Sequence, residues 1–198
     1  MAEPEGGLHL FANLFKYHAA CYLTHAPIEC ARRLREEHHF EPGAIAGITL
    51  RLDASCERVC NIPAPNDGLQ SKFSLRQTVA MALAGVDTAS LGAYSAENAR
   101  DPRLVGLRER VVLDWQESWP QTLSELELEL ADGQRPMARH DAGIPASDVA
   151  DQGRRLAAKF DALVEPVLGP PRTRELRETV AGLDSLADIG TLARLATV

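Results

Sequence analysis

The sequence predicts an α+β fold, in which an antiparallel sheet packs against helices and a C-terminal helical segment follows. Three observations support this prediction. Leu and Glu alternate strictly over residues 125–130, apolar residues recur at helical spacing over residues 24–39, and only helical periodicity follows residue 143. A strand with one apolar and one charged face is typical of an antiparallel sheet that is packed on a single side.

The first predicted helix covers residues 24–39, where Pro27 occupies a permitted first-turn position and apolar side chains repeat at helical spacing. Residues 41–43, Glu-Pro-Gly, end this helix because proline and glycine are poor helix formers. Residues 48–52 then alternate between apolar and polar side chains, which predicts a half-buried strand. Polar, proline-rich residues 61–68 predict the loop that follows.

A second helix is predicted over residues 75–83. Ser74 and Gln77 have the spacing of a capping box at its start, and Gly85 ends it. The helix is almost wholly apolar, so we expect it to lie in the core or in an interface. Another helix is predicted from about residue 95 to residue 108.

Three further extended runs complete the predicted sheet. Residues 111–113 form a short apolar strand, and the alternating run 125–130 forms the clearest strand in the chain. The dipeptide Asp132-Gly133 predicts a two-residue hairpin turn, because both turn positions need a positive φ. Residues 135–140 should therefore return antiparallel to the alternating strand.

The C-terminal part is predicted to be wholly helical. An apolar stripe over residues 149–167 ends at Gly-Pro-Pro, residues 169–171, and shorter stripes follow over residues 176–183 and 189–195. These three apolar stripes must pack against another surface, since leaving Leu, Val and Phe side chains in water costs free energy. We therefore expect the chain to self-associate or to bind a helical partner, and not to exist as an isolated monomer.

These elements predict a division of the chain into three parts. They are an N-terminal extension (residues 1–13), an α+β body (residues 14–143) and a helical tail (residues 144–198).

Composition and charge exclude several classes of function. The chain has 198 residues and a formal charge of −7 without any basic run, so we expect no nucleic-acid partner. No stretch approaches the roughly 20 apolar residues of a membrane span, and the acidic start does not resemble a signal peptide. We therefore expect a soluble, cytoplasmic protein.

No cofactor or metal is predicted from the motifs. The chain has no phosphate loop, nucleophile elbow, zinc-protease motif or dinucleotide fingerprint. The four cysteines have no zinc or redox spacing and are interpreted as free, buried thiols. His38 and His39 are interpreted as solvated, because adjacent side chains on a helix diverge and no third ligand is near.

Four segments together resemble the C-terminal part of the MmgE/PrpD family, the 2-methylcitrate dehydratases and cis-aconitate decarboxylases. Residues 16–25, KYHAACYLTH, are similar to the family's K-x-Y-P-A-C…T-H segment, with Ala19 in place of its proline. Residues 71–85 resemble its A-K-F-S-L…V-A…G segment, although Arg76-Gln77 displaces a tyrosine that often follows. HDAG at residues 140–143 with the later Lys-Phe pair resembles its H-x-x-G…K-F segment, and the leucine-rich final helices resemble its closing helices.

The resemblance implies both a fold and an activity. In this family the α+β part is a lid over a mostly helical N-terminal domain, and the active site lies in the cleft between them. Family members dehydrate or decarboxylate citrate-like acids by removing a proton beside a carboxylate. The resemblance covers about residues 14–196 and places the chain as a lid without the helical domain, so a helical MmgE/PrpD-like partner subunit or a homo-oligomer is expected to complete the site.

Four residues are candidates for the site. His25 matches the family's T-H histidine and lies in the first turn of a predicted helix, where the positive helix end favours a neutral, proton-accepting imidazole. Lys16, His18 and Lys72 could supply positive charge to a substrate carboxylate. From the residues alone, His25 is interpreted as a capping or surface histidine and Lys72 as a solvated loop residue. His140 is interpreted as the end of the return strand.

Two classes of function remain open from the sequence. One is a subunit or separated lid of a split lyase that acts on a small carboxylic acid. The other is a non-catalytic binding or assembly protein that retains the lid fold, and a variant is a stand-alone enzyme with a site rebuilt around His18 and His25.

Overall fold

The computed structural model describes residues 12–197, so most of the predicted N-terminal extension lies outside it. The predicted α+β fold is confirmed. The α-helices within the described residues are α1 (His25–His38), α2 (Glu57–Cys60), α3 (Gly68–Ser71), α4 (Leu75–Leu83), α5 (Ala96–Arg100), α6 (Pro102–Glu109), α7 (Val149–Leu168), α8 (Pro170–Ala181) and α9 (Gly190–Ala196). The strands are β1 (Ile45–Asp53), β2 (Val111–Gln116), β3 (Leu123–Leu130) and β4 (Met137–Asp141).

The four strands form one mixed sheet in the order β2-β1-β3-β4. β1 pairs antiparallel with β3, and β3 pairs antiparallel with β4. The pairing of β3 with β4 is the hairpin that the sequence predicts. β2 pairs parallel with β1, so the expectation of a purely antiparallel sheet is corrected at this edge. The chain between β1 and β2 passes through α2 to α6, and this is long enough for the crossover that parallel pairing requires.

The two faces of the sheet differ as the alternation predicts. On β3, Leu126, Leu128 and Leu130 are buried and belong to the main core, together with side chains of α1 and α4. The opposite face is charged: Arg51 of β1 donates to Asp114 Oδ2 at 3.2 Å and to Glu127 Oε2 at 3.1 Å. One face therefore holds the core and the other bears cross-strand ion pairs.

The turn between β3 and β4 differs from the predicted two-residue type. Gly133 N–H donates to Leu130 O at 2.9 Å, and Leu130 N–H donates to Gln134 O at 2.9 Å, which closes a loop of three residues. Of the loop residues only Gly133 has a positive φ, 86°. Asp132 accepts from the Gln134 N–H at 3.0 Å, which favours the three-residue loop with glycine in its left-handed position.

The helix prediction at α4 is confirmed. Ser74 Oγ accepts from the Gln77 N–H at 3.2 Å, and all α4 residues except Arg76 are buried. The amide of Gln77 does not complete the capping box, because it donates to Asn98 O at 3.1 Å. Since the chain itself covers α4, this helix lies in the core and leaves no apolar face for an interface.

The prediction of one continuous helix over residues 95–108 is wrong. The structure has two helices there, α5 and α6, that meet at Asp101. Pro102 occupies the first turn of α6, where it needs no hydrogen-bond acceptor, and the Asp101 carboxylate accepts from the Arg103 N–H at 2.9 Å. A proline therefore starts a new helix in place of continuing the old one.

The helical tail packs loosely by comparison with the body. No residue of α7 is fully buried, and α8 buries only Thr173 and Leu176. An apolar groove of about 470 Å³ runs between α7 and α8, lined by side chains that include Leu156, Phe160 and Val180. The tail thus keeps apolar surface uncovered by the described residues.

Candidate functional site

The segment that precedes α1 is fixed to two other parts of the body. Ala19 N–H donates to Thr88 O at 2.9 Å, and Cys21 N–H donates to Lys72 O at 3.0 Å. These backbone hydrogen bonds bring the predicted residues Lys16, His18 and Lys72 to one cavity of about 390 Å³. We call it the lysine pocket, and its polar lining consists of Lys16, His18, Cys21, Lys72 and Lys159.

His18 is buried at the wall of the lysine pocket, with 2% of its surface exposed. Its Nε2 lies 2.8 Å from Glu29 Oε1, and its Nδ1 lies 2.8 Å from Thr88 Oγ1. Burial lowers the pKa of His18 and outweighs the opposing effect of Glu29. A neutral ring beside a carboxylate must donate through Nε2 and accept the Thr88 hydroxyl at Nδ1, so these contacts fix its tautomer.

Glu29 is the anionic centre of the site. It receives His18 Nε2–H, Arg32 Nη1 at 3.5 Å and a close contact from Arg155 Nη2. Burial alone would raise the pKa of Glu29, but the His18 hydrogen bond and the charges of Arg155 and Arg32 hold it at about 2. Glu29 therefore stays ionised and joins α1 of the body to α7 of the tail.

His25 begins α1 and lies behind His18, with ring centroids 4.9 Å apart and 2% of its surface exposed. Its Nε2 is buried and has no hydrogen-bond partner among the described residues. Burial is the main cause that lowers the pKa of His25 to about 3, and the electrostatic effects of the neighbouring His18, Lys16 and Lys159 add to it. The imidazole is therefore neutral at pH 7 and holds one nitrogen without a partner.

His25 does not line the lysine pocket itself. It opens on a neighbouring cavity of about 130 Å³, which we call the histidine pocket; its polar lining includes Tyr22, His25, Glu29, His140 and Arg155. The Tyr22 hydroxyl donates to Ala142 O, and burial lowers the pKa of His140. His140 lies within β4 and not at its end, so its predicted position is corrected by one residue.

The lysines of the lysine pocket have different environments. Lys159 Nζ donates to Lys16 O at 2.5 Å and to His18 O at 3.2 Å, and burial lowers the pKa of Lys159. Lys72 is half-buried, and its Nζ lies 5.7 Å from the centroid of the Tyr94 ring. Lys16 is exposed at the rim. The pocket therefore concentrates cations in a chain whose net charge is −7.

Three residues of the site were not among the sequence candidates: Glu29, Arg155 and Lys159. Glu29 follows His25 by four residues, so both lie on one face of the predicted α1 helix, and this spacing was a usable signal. Arg155 and Lys159 have the same spacing on α7. Their approach to Glu29 and to residues 16–18 depends on how the tail folds back, which no local pattern indicates.

Residues 12–197 contain neither a metal-binding cluster nor a membrane-spanning helix. No group of three or more His, Cys, Asp or Glu side chains is arranged to hold a metal ion. No helix in this part of the chain is both long and apolar enough to cross a membrane.

The α+β body followed by a helical tail is the arrangement that the sequence motifs predict for a lid domain. The family model for the MmgE/PrpD C-terminal domain matches residues 18–185. The chain therefore belongs to the MmgE/PrpD family, in its C-terminal region. No curated protein matches the chain.

Proposed function

We propose that the chain acts as the lid of an MmgE/PrpD-type lyase, which dehydrates, hydrates or decarboxylates a citrate-like acid. The observation that carries the proposal is a neutral, buried His25 whose Nε2 has no partner, placed directly behind the wall of a lysine-lined pocket. Residues 14–143 would form the lid and residues 144–198 a helical segment packed beside it. A helical MmgE/PrpD-like partner subunit, or a second copy, would supply the remaining acid and base groups.

His25 suits proton transfer only when substrate is present. With a pKa of about 3 in the substrate-free lid, the ring is a weak base, and the cations around it are part of the cause. A bound polycarboxylate would bring negative charge next to those cations and raise the pKa of His25 towards neutrality, where general-base catalysis is most effective. Substrate binding would thus raise the pKa of His25 and make this residue an effective base for the reaction.

The lysine pocket suits the carboxylates of such a substrate. A carboxylate that leaves water needs charge-assisted hydrogen bonds in return, and Lys16 and Lys72 line the same cavity. Lys159 already donates to two backbone carbonyls, so its main effect is to hold residues 16–18 in place and to add positive charge. The proposed lyase activity therefore assigns substrate binding to Lys16 and Lys72 and proton transfer to His25. His18 supports the pocket wall, because its two ring nitrogens already contact Glu29 and Thr88.

Replacing Lys72 with alanine is expected to raise KM about ten-fold with little change in kcat, which is the effect of losing one charge-assisted hydrogen bond to bound substrate. Steady-state kinetics of the complete enzyme measure it. Lys72→Arg is the matched control, since it keeps the charge and should recover most of the affinity. A KM that is unchanged within error in Lys72→Ala would leave Lys72 with only its contact to Tyr94.

The oligomeric state tests the partner part of the proposal. We expect size-exclusion chromatography with light scattering to give a mass above 21.5 kDa at micromolar concentration, because the groove between α7 and α8 leaves Phe160 and Val180 partly in water. A stable 21.5 kDa monomer without a bound partner would contradict this expectation.

The activity itself is tested with and without a partner. The chain is assayed alone and mixed with a candidate helical MmgE/PrpD-like protein, for hydration, dehydration and decarboxylation of citrate-like acids. Activity that requires both chains supports the split lyase. A mixture that forms a complex but turns over none of these acids would favour the non-catalytic binding protein.

A further inference from the structure

We propose that the chain binds a phosphate group, free or carried by a small molecule, in a second cavity beside the lysine pocket. This cavity has a volume of about 320 Å³, and His18 and Lys159 line both cavities. Its volume is at the lower end of the roughly 300–1,000 Å³ range of small-molecule sites. We call it the arginine pocket, and its charged lining consists of Arg32, Arg35, Arg155, Lys159, Glu36 and Asp87. The inference does not depend on the proposed lyase activity, because its test measures the binding of phosphate.

The cationic side chains reach the arginine pocket from two helices. Arg32 and Arg35 lie three residues apart on one face of α1, and Arg155 and Lys159 lie four residues apart on one face of α7. Like charges at these spacings repel each other, and a bound anion would remove that repulsion. Donors that approach from two sides can reach different oxygens of a tetrahedral phosphate, whereas a planar carboxylate is satisfied by a single guanidinium fork. The arrangement therefore favours a phosphate group over a carboxylate.

Arg35 is the cation of α1 that is best placed to bind a ligand. Arg32 Nη2 lies 3.2 Å from Glu36 Oε1, but no carboxylate in the part of the chain that the structure describes forms an ion pair with Arg35. The Arg35 guanidinium lies next to Gly85, where an added Cβ would come within 2.5 Å of Arg35 Nη1. Because Gly85 has no side chain, the guanidinium can lie at the wall of the cavity with its donors available.

The cations of α7 are held in place and are only partly neutralised. Arg155 contacts Glu29, and its guanidinium carbon lies 3.7 Å from the centroid of the Tyr17 ring. Glu29 also pairs with Arg32, so that one carboxylate is shared by two guanidinium groups. Lys159 Nζ donates to two backbone carbonyls, and within residues 12–197 it has no carboxylate partner. Cations that are already fixed in position lose little conformational freedom when an anion binds.

Two carboxylates also line the arginine pocket, but the cations outnumber them. Glu36 pairs with Arg32 at the exposed surface, where an ion pair of this kind is weak and easily exchanged for another partner. Asp87 Oδ1 accepts from the Ala89 N–H at 3.0 Å, so this carboxylate is used within its own turn. The chain as a whole carries a charge of −7, and the arginine pocket is therefore a local excess of positive charge that attracts anions.

Calorimetric titration of the 198-residue chain tests the site with two probes, inorganic phosphate and glycerol 3-phosphate. The buffer is free of phosphate and of low ionic strength, because salt screens exposed charges. We expect saturable binding with one site per chain. Tighter binding of the ester would support a site for a phosphorylated small molecule, and tighter binding of inorganic phosphate would support a site for the free ion. Absence of saturable binding for both probes would overturn the proposal.

The variant Arg35→Gln assigns the binding to the arginine pocket. It should raise the Kd for phosphate about ten-fold, as expected for the loss of one charge-assisted hydrogen bond. Arg33→Gln is the matched control, because Arg33 is exposed on the same helix, lies 2.7 Å from Glu37 and does not line the pocket. This control removes the same charge and should leave the Kd unchanged. Equal weakening by both variants would show only a general attraction to positive charge and would overturn the proposal.

The variant Glu36→Gln should change the affinity in the opposite direction. It releases Arg32 from its surface ion pair and should lower the Kd for phosphate by about two- to five-fold. A Kd that rises in this variant, while circular dichroism shows a folded chain, would contradict a role for Arg32.

Two further titrations separate the arginine pocket from the lysine pocket and phosphate from carboxylate. Lys72→Ala changes only the lysine pocket and should leave the Kd for phosphate unchanged. Phosphate binding that is lost in Lys72→Ala but kept in Arg35→Gln would place the anion in the lysine pocket and overturn the proposal. Citrate is the carboxylate probe, and we expect its affinity to be the same in Arg35→Gln and in the wild type. Citrate that binds more tightly than phosphate and loses this affinity in Arg35→Gln would show that the arginine pocket is a carboxylate site instead.

Discussion

Replacing His25 with alanine is expected to lower kcat by about 10²–10⁴-fold on citrate-like substrates, the range for loss of a positioned acid–base group. The expectation follows from the chemistry of the ring. His25 is neutral, its Nε2 is buried without a partner, and it contacts His18 at the wall of the lysine pocket. The measurement is single-turnover or steady-state kinetics of the chain together with the helical component that completes it.

Two variants control this result. His38→Ala removes an exposed histidine from the other end of α1 and should leave kcat unchanged. His25→Gln keeps a polar side chain of similar size but takes up no proton, so it should lose nearly as much activity as the alanine variant. Equal activity in His25→Ala and wild type, with circular dichroism showing an unchanged fold, would remove His25 from the mechanism.

The parts of the fold that depend on local signals were predictable from the sequence. The alternation over residues 125–130 and the cap at Ser74 each act within a few residues, and both are confirmed. The parallel pairing of β2 with β1 depends on the long connection between these two strands. The short apolar run at residues 111–113 therefore predicted a strand, but not whether it runs parallel or antiparallel to its neighbour. Pro102 was a usable local signal for the break between α5 and α6.

At the candidate site, too, the residues within local motifs could be predicted from the sequence, whereas contacts between distant segments could not. Motif order placed Lys16, His18 and Lys72 together as substrate-binding candidates, and they do line one pocket. Their roles stay predictions, as does that of His25, which lines the neighbouring histidine pocket. The sequence could not indicate that Glu29 also receives Arg155 of α7, because that contact exists only after the tail folds back.

The stability of the folded chain is expected to fall steeply as the pH is lowered from 6.5, and His25 is a main cause. The unfolded chain protonates this histidine near pH 6.5, whereas the folded chain keeps it neutral down to about pH 3. Protons therefore bind to the unfolded state first, and falling pH favours unfolding. Over the two units between pH 6.5 and 4.5, His25 alone should remove about 2 kcal/mol from the free energy of unfolding.

Between pH 6.5 and 4.5 the histidines change the free energy of unfolding, whereas Glu29 does not. A carboxyl group whose pKa is lowered from 4.5 to about 2 contributes stability that is present above pH 4.5 and is lost only as the pH falls further towards 2. His18 and His140, whose pKa values burial also lowers, add to the loss in the same direction as His25. Urea unfolding at several pH values between 6.5 and 4.5 measures the combined slope.

The variant His25→Gln separates the contribution of His25 from that of its neighbours. Glutamine does not titrate, so the variant should lose about 2 kcal/mol less than the wild type over the same interval, whatever its stability at pH 6.5. His38→Gln is the matched control, because His38 is exposed and contacts water in the folded and unfolded chain alike. If His25→Gln and wild type show parallel curves, the ring must already reach water or a proton-accepting partner, and a neutral His25 with an unpaired nitrogen would no longer be available as the base.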